Sequence, residues 1–237
     1  MSDRSGELVI KSLNQFYGAS HTLWDLSLTI PAGGRMCLMG RNGVGKTTLL
    51  KAVMGMLPIK DGSIVFDGQD ITRKAAEARA PMGIGFVPQG REIFSQLTVE
   101  ENLQVGLPIR KDKSKKIPEF IYELFPVLKE MKQRRGGDLS GGQQQQLAIG
   151  RALVIDPKIL ILDEPTEGIQ PNIVQEIGDI IIKLNEELGL TVLLVEQKLP
   201  FARKVGKSFC ILERGRNVAT GKMADLNDEL VAQYLSV

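Results

Sequence analysis

The stretch Gly40-Arg-Asn-Gly-Val-Gly-Lys-Thr47 decides the fold, because its glycines and its Lys-Thr ending are typical of a loop that wraps phosphate groups. Glycines let successive backbone N–H groups turn towards an anion, where a Cβ would obstruct it. A buried strand, Arg35–Met39, is predicted before the loop, and a helix from about Lys46 to Met56 after it. The positive end of that helix dipole adds to the attraction for an anion. The stretch therefore predicts a strand–loop–helix unit that binds a nucleotide.

The polar side chains of this loop are of the types that phosphate chemistry needs. Lys46 can reach the β- and γ-phosphates as a point charge, and the Thr47 hydroxyl can ligate Mg²⁺. The predicted contacts to the nucleotide phosphates are Gly40, Arg41, Asn42, Gly43, Val44, Gly45, Lys46, Thr47 and Thr48. A loop that is only a turn is the alternative interpretation.

A second element, Ile159–Leu162, is a predicted buried strand that ends in Asp163-Glu164. A carboxylate at the carboxyl end of a parallel strand, beside a phosphate loop, is where a Mg²⁺ ligand is expected, and Asp163 takes that role. Glu164 is placed to orient and deprotonate a water that attacks the γ-phosphate. A helix-cap or surface role is the alternative for Glu164. The two elements together predict nucleotide hydrolysis.

The rest of the chain predicts an α/β fold with a parallel sheet, because strands alternate with helices around Gly40. Two alternating runs, Leu8–Phe16 and Leu23–Ile30, predict an antiparallel pair of strands with its break at residues 17–20. The stretch 92–155 has helical periodicity and predicts a helical insertion. The remaining predicted elements are strands at Ile64–Phe66, Gly83–Val87, Thr191–Val195 and Phe209–Leu212, and helices at Ile173–Leu188 and Lys222–Leu235.

Composition excludes several classes of protein. The 237 residues carry 30 Lys and Arg against 28 Asp and Glu, and this net charge of +2 argues against a nucleic-acid partner held by bulk positive charge. No apolar run approaches the roughly 18–20 residues that cross a bilayer. The first six residues contain no apolar core of an export signal, so we expect a cytoplasmic protein.

A third element, Leu139-Ser140-Gly141-Gly142-Gln143, opens a predicted helix that runs to Asp156-Pro157. Serine and two glycines at a helix start make a second anion-binding N-terminus. Alone the pentapeptide is common in loops. In this order with the two nucleotide motifs, the sequence resembles the ATP-binding cassette (ABC) family, whose signature motif this is, over nearly the whole chain.

The resemblance implies a single ABC nucleotide-binding domain over residues 1–237. It would have a P-loop NTPase core (about 1–89 and 157–237), an N-terminal antiparallel β-subdomain, and a helical subdomain (about 90–156). It implies ATP and Mg²⁺ as the bound species. Family members work as head-to-tail dimers, in which Ser140 and Gly142 of one chain close over the ATP of the other.

Two further residues match family positions. Tyr17, just before Gly18, matches the aromatic residue that stacks on adenine, with packing into the core as the alternative. Gln89 matches the glutamine loop that joins the core to the helical insertion. Its carbonyl can bind Mg²⁺ or the attacking water and release them when the loop moves.

Two positions depart from the family pattern. Gln197 stands where a histidine usually contacts the γ-phosphate, and it can donate a hydrogen bond there but cannot titrate. The loop after Glu164 reads Gly168–Pro171, where an aspartate is common. We therefore expect a hydrolysing site within a heterodimer whose second ATPase subunit differs, with a homodimer possible in isolation. The one histidine, His21, is predicted at the surface or in a turn.

A single cassette resembles a separate importer subunit, which implies two membrane permease subunits, an extracytoplasmic solute-binding protein, and a place on the inner face of the plasma membrane. The stretches Pro88–Leu103 and Asp163–Pro171 resemble the second ATPase subunits of urea and branched-chain amino acid importers. Gln89 and Thr166–Pro171 favour urea, with branched-chain amino acids as the alternative. Two other classes stay open: a regulatory subunit with little turnover, suggested by Gln197, and a DNA-repair or ribosome factor.

Overall fold

A computed structural model of the chain describes residues 5–235, which form two β-sheets and eight α-helices. The strands are β1 (Leu8–Tyr17), β2 (Ser20–Ile30), β3 (Arg35–Met39), β4 (Asp61–Phe66), β5 (Gln69–Asp70), β6 (Ile84–Val87), β7 (Ile159–Asp163), β8 (Thr191–Val195), β9 (Ser208–Glu213) and β10 (Arg216–Lys222). The helices are α1 (Lys46–Val53), α2 (Val99–Gln104), α3 (Glu119–Leu124), α4 (Pro126–Glu130), α5 (Gly141–Val154), α6 (Pro171–Leu188), α7 (Leu199–Val205) and α8 (Asp228–Tyr234).

The larger sheet has six strands in the order β10-β9-β3-β8-β7-β6. Its strands run parallel except β10, which pairs antiparallel with β9 at one edge. Every residue of β3, β7 and β8 is buried, as expected for central parallel strands covered on both faces. The predicted α/β fold with a parallel sheet is confirmed.

The smaller sheet has the order β2-β1-β4-β5 and is antiparallel throughout. It confirms the N-terminal antiparallel part of the predicted fold. The connection between β1 and β2 is tighter than predicted, because Tyr17 pairs directly with Ser20. Gly18 adopts a left-handed φ of 58°, which lets two residues close the turn.

Alternate residues of the parallel strands face two separate cores. On one face Cys37, Leu160 and Val192 pack with helices α2 to α7. On the other face Leu38, Ile161 and Leu193 pack with α1 and the antiparallel sheet. Helix α1, which follows the phosphate loop, is thus held between the two sheets.

Near the carboxyl end one predicted element was wrong and one strand was missed. The stretch predicted as a helix from Lys222 to Leu235 begins as the end of strand β10, and its helix starts only at Asp228, capped by the Asn227 side chain. Strand β10 itself was not predicted. It is an edge strand whose residues alternate between half-buried and exposed, so it has no apolar run that marks it as a strand.

Helix α1 also ends earlier than predicted, at Val53, because Gly55 turns the chain with a left-handed φ of 70°. A buried arginine contacts this end of the helix. The Arg79 guanidinium is 1% exposed and donates to the carbonyl oxygens of Ala52 (3.3 Å), Val53 and Ile71 (2.8 Å). The last carbonyls of a helix have no partner within the helix, so this cation satisfies them and complements the negative end of the dipole.

Replacing Arg79 with alanine is expected to lower the free energy of unfolding by about 2–4 kcal/mol, because buried carbonyls lose their donors and a cavity opens beside Gly55. Urea unfolding followed by circular dichroism measures the change. The exposed Arg73 gives the control: R73A is expected to change stability by less than about 0.5 kcal/mol. Equal stabilities of R79A and R73A would contradict the assigned role.

Within residues 5–235, none of the helices has both the length and the apolar character that a membrane span requires. Helices α2 to α5 occupy the part of the chain predicted to be helical, while the proposed subdomain boundaries at residues 89/90 and 156/157 stay predictions. Residues 1–4, which carry most of the stretch used to predict the absence of an export signal, lie outside the described residues.

Candidate functional site

The phosphate loop lies between β3 and α1 and bends at glycines. Gly40, Gly43 and Gly45 have φ values of 144°, 79° and 109°, which side chains rarely allow. A Cβ on Gly40 would lie 2.4 Å from the Leu212 carbonyl oxygen, whereas a Cβ on Gly43 would meet nothing within 4 Å. The Gly43 side of the loop is therefore open, and α1 begins there without a side-chain cap. An anion can approach its first N–H groups.

Lys46 lies inside this loop and holds it in shape. Its ammonium group donates to the carbonyl oxygens of Gly40 (2.8 Å) and Arg41 (2.9 Å), and the residue is 5% exposed. Burial lowers the pKa of Lys46, and the nearby Glu164 and Asp163 carboxylates act in the opposite direction. A positive charge thus stands at the loop, where phosphate oxygens would replace its contacts with backbone carbonyls.

Asp163, at the end of β7, faces the start of α1. Its Oδ2 accepts a hydrogen bond from the Thr47 hydroxyl at 3.2 Å, while its buried Oδ1 has no hydrogen-bond partner. Burial raises the pKa of Asp163 to about 6, and the charge of Glu164 adds to the increase. A buried carboxylate oxygen without a donor, beside a hydroxyl oxygen, fits a hard cation such as Mg²⁺.

This donor set suits a cation whose other ligands are supplied by phosphates and water. No group of three or more His, Cys, Asp or Glu residues able to hold a metal ion occurs between residues 5 and 235. Mg²⁺ is commonly bound by one or two protein oxygens together with substrate phosphates. Asp163 and Thr47 therefore fit a magnesium site that is complete only with a nucleotide.

Glu164 lies in a cleft of about 420 Å³ at the carboxyl ends of β7 and β8. Its φ of 48° is left-handed, which is uncommon for a glutamate and turns the chain sharply after the strand. Its Oε1 accepts a hydrogen bond of 2.5 Å from the Gln197 amide, which also donates to Asn42 Oδ1 at 2.7 Å. The candidate base and the phosphate loop are thus joined through Gln197.

Gln89 reaches the same cleft from the loop after β6. Its amide nitrogen donates to Glu167 Oε2 at 3.0 Å and lies 3.5 Å from Glu164 Oε2. We predicted a carbonyl contact to Mg²⁺ or water, whereas here the amide group of Gln89 faces two carboxylates. The Gln197 amide likewise donates to Glu164, and also to Asn42 of the phosphate loop. Both side chains would have to turn to contact phosphate or metal.

The predicted signature residues form a second helix start. Ser140 Oγ accepts from the backbone N–H of Gln143 at 3.3 Å, and Gln143 Oε1 accepts from the N–H of Ser140 at 2.9 Å, which is a capping box. Leu139 is buried, and a Cβ on Gly142 would meet Ile173 at 3.1 Å. The exposed Ser140 lies at the solvent-facing start of α5, where a second chain could approach it.

Tyr17, the predicted adenine platform, is at the end of β1 with 47% of its surface exposed. The alternative of packing into the core is not what the structure shows. Beside it in the sheet, the His21 ring is stacked between Phe16 (centroids 4.0 Å) and Trp24 (3.5 Å). His21 lies in β2 one residue after the turn, is half-buried, and contacts Asn14 through Nε2 at 3.0 Å, so it is partly at the surface and not in the turn itself.

Four polar residues that line the cleft were not predicted as site residues: Thr166, Glu167, Glu196 and Lys198. Arg91 donates to the Glu167 carbonyl (3.2 Å) and to Gln144 (3.3 Å), and thereby connects the loop after β6 to α5. Glu196 is a carboxylate directly after a buried strand, the same pattern that identified Asp163. That pattern could have identified Glu196 from the sequence.

Comparison with known proteins gives a consistent result. A family model described as "ABC transporter" matches residues 23–167. A high-affinity branched-chain amino acid transport ATP-binding protein (BraG) of Pseudomonas aeruginosa is 41% identical over 231 residues, 96% of this chain and 99% of that protein. A probable branched-chain amino acid transport ATP-binding protein (LivF) of Archaeoglobus fulgidus is 36% identical, covering 90% and 91%.

Among solved structures, a dimeric ATP-binding cassette in a post-hydrolysis state, bound to ADP and Pi, aligns with a TM-score of 0.82 at 26% identity. The alignment covers 91% of this chain and 98% of that chain.

Proposed function

The chain belongs to the ABC transporter family as an ATP-hydrolysing transport enzyme, and on that premise we propose that it is the ATPase subunit of an importer. The observation that carries the proposal is the meeting of three groups at one sheet edge. These are the open glycine loop with Lys46, the unpartnered Oδ1 of Asp163, and the Glu164 carboxylate in the adjoining cleft.

In the proposed reaction, loop N–H groups and Lys46 hold the β- and γ-phosphates of ATP. Glu164 accepts a proton from a water whose oxygen attacks the γ-phosphorus, and the bond to the β-phosphate oxygen breaks, giving ADP and phosphate. Gln197 and Gln89 contact Glu164 now and would orient this water once they turn. Tyr17 offers an exposed ring for the adenine.

Mg²⁺ is the proposed second species, held by Asp163 and Thr47. When bound, it neutralises charge on the phosphate oxygens. Two observations support this site. Asp163 Oδ1 has no hydrogen-bond partner, and the other oxygen of the same carboxylate accepts a hydrogen bond from the Thr47 hydroxyl.

We also propose that the subunit works in a head-to-tail dimer. Gly40–Thr48 and Ser140–Gln143 are two helix starts suited to anions in one chain, and the exposed Ser140 can serve the nucleotide of a second chain. The predicted heterodimer with a different ATPase subunit, the two membrane permeases, the solute-binding protein and the position at the inner face of the plasma membrane are parts of this proposal.

The transported solute is proposed from family likeness, because no residue of an ATPase subunit contacts it. The sequence features Gln89 and Thr166–Pro171 favour urea, while the names of two relatives support branched-chain amino acids. Urea stays a prediction, and the amino-acid alternative fits the comparisons as well.

Reconstitution with the cognate permeases and second ATPase subunit tests both the ATPase role of the subunit and the identity of the solute. We expect solute-loaded binding protein to stimulate ATP hydrolysis several-fold over the unloaded protein. Stimulation by leucine alone would overturn the urea prediction, and stimulation by urea alone would overturn the alternative. Stimulation by neither, with intact basal hydrolysis, would contradict both solutes but not the ATPase.

A further inference from the structure

The loops that follow β7 and β8 are neighbours because the two strands are paired, with Asp163 opposite Val195. The first loop carries Glu164 and the second carries Gln197. The backbone N–H of Glu164 donates to the Val195 carbonyl at 3.0 Å, so the left-handed turn at Glu164 rests on β8. A residue in that conformation persists only where its surroundings hold it.

Glu196 joins the two loops through a buried carboxylate. The residue is 2% exposed, and its Oε2 accepts a hydrogen bond of 2.7 Å from the Thr166 hydroxyl. Its Oε1 accepts from the backbone N–H groups of Gln197 (2.8 Å) and Lys198 (2.9 Å). Three donors therefore meet one charged group away from water, where hydrogen bonds to an ion are strong.

Lys198 adds a second connection between the same loops. Its ammonium group donates to the Thr166 carbonyl oxygen at 2.9 Å. Thr166 is 1% exposed and is thus held through both its hydroxyl and its carbonyl. Two residues before Thr166 stands Glu164, and one residue after Glu196 stands Gln197, whose amide contacts Glu164 Oε1. Two side-chain hydrogen bonds, Thr166 to Glu196 and Gln197 to Glu164, therefore link the two loops at neighbouring positions.

We propose that Glu196 and Thr166 are positioning residues that hold the Glu164 carboxylate and the Gln197 amide at hydrogen-bond distance from each other. The hydrogen bonds of the Glu196 carboxylate go to Thr166 in one loop and to the Gln197 and Lys198 N–H groups in the other, so it acts through the two loops. The inference rests on the proposed role of Glu164 in hydrolysis. It assigns a function to a residue pair that the phosphate chemistry itself does not use.

Replacing Thr166 with valine removes the hydroxyl and keeps the size of the side chain. We expect T166V to lower kcat for ATP hydrolysis about tenfold, since small displacements of a catalytic group are costly, with KM for ATP changed less than twofold. T166S retains the hydroxyl and is expected to keep kcat within twofold of the wild type. T220V, the same change at an exposed threonine of β10, controls for the substitution itself.

A double-mutant cycle separates positioning from a general loss of stability. If Thr166 acts through Gln197 and Glu164, T166V should have less than a twofold effect on kcat in a Q197A background. A tenfold effect in both backgrounds, or equal kcat values for T166V and T166S, would overturn the proposal. If T166V does not fold, E196Q and E196D replace it.

E196Q keeps an acceptor for the backbone N–H groups and is expected to retain kcat within twofold, whereas the shorter E196D should lose about tenfold. The reverse order overturns the proposal. Measurement of E164Q in the same assay separates a failure of the proposed role of Glu164 in hydrolysis from a failure of the positioning role of Thr166 and Glu196. Wild-type turnover by E164Q removes the role of Glu164, while an inactive E164Q with fully active T166V and E196D removes only the positioning role.

Discussion

Replacement of Glu164 by glutamine is expected to lower the rate of ATP hydrolysis at saturating ATP by at least about a hundredfold. The amide has the size of the carboxylate and can still accept a hydrogen bond from Gln197, so the cleft keeps its shape. It cannot take up the proton of the attacking water. Steady-state release of phosphate measures the loss, and equilibrium titration with ATP is expected to show a Kd within about threefold of the wild type.

Glu167 provides the matched control for this experiment. It lies three residues further on, contacts Gln89 through Oε2 and undergoes the same chemical change in E167Q. We expect E167Q to retain hydrolysis within about threefold, because a glutamine can still accept the hydrogen bond from Gln89 and Glu167 does not accept the proton in the proposed reaction. Loss of activity in E167Q equal to that in E164Q, or turnover by E164Q at the wild-type rate, would refute the assignment of the base.

The core of the fold was predictable because its signals are local. The glycine loop, the apolar strands around it and the carboxylates after Ile159–Leu162 each occupy consecutive residues. Their periodicity and composition are enough to indicate a parallel sheet with its site at the carboxyl edge. The same reasoning failed for β10, which is an edge strand with half of its residues exposed and with glycine and asparagine in it.

The end of helix α1 shows a second limit. Gly55 ends the helix with a left-handed φ of 70°, and a glycine there is a signal that the sequence offered. The contacts of Arg79 with the last carbonyls, from more than 20 residues away in the chain, were not predictable. A donor that arrives from a distant segment leaves no local signal. Arginine in a sequence is also expected at the surface, whereas this one is almost fully buried.

The site was predictable in its members and less so in its contacts. Residue types at the loop and after β7 suggested phosphate, metal and base chemistry, and the fold brings Lys46, Asp163 and Glu164 to one edge. Side-chain orientation depends on partners from other loops. The Gln89 amide donates to Glu167, and the Gln197 amide donates to Glu164, because these carboxylates come within hydrogen-bond distance from neighbouring loops.

Replacement of Asp163 by asparagine is expected to abolish magnesium-dependent hydrolysis and, in the absence of nucleotide and metal, to stabilise the protein. Burial disfavours the charged form of Asp163, so its pKa of about 6 in the folded chain exceeds the ordinary 3.8. The sign follows from linkage: ionisation of the folded protein costs more than ionisation of the unfolded chain. The cost is absent below pH 3.8, grows up to pH 6, and is complete above it.

At pH 8 the difference of about two pKa units means that ionised Asp163 lowers the free energy of unfolding by about 3 kcal/mol. D163N is therefore expected to have a free energy of unfolding about 2–3 kcal/mol higher than the wild type in urea with EDTA present. At pH 4.5 the gain should shrink to about 1 kcal/mol or less. The exposed Asp225 supplies the control, since D225N should show no gain at either pH. A destabilised D163N at pH 8 would mean that the unpartnered Oδ1 is not costly to the protein. The unpartnered oxygen would then give no support to a cation site.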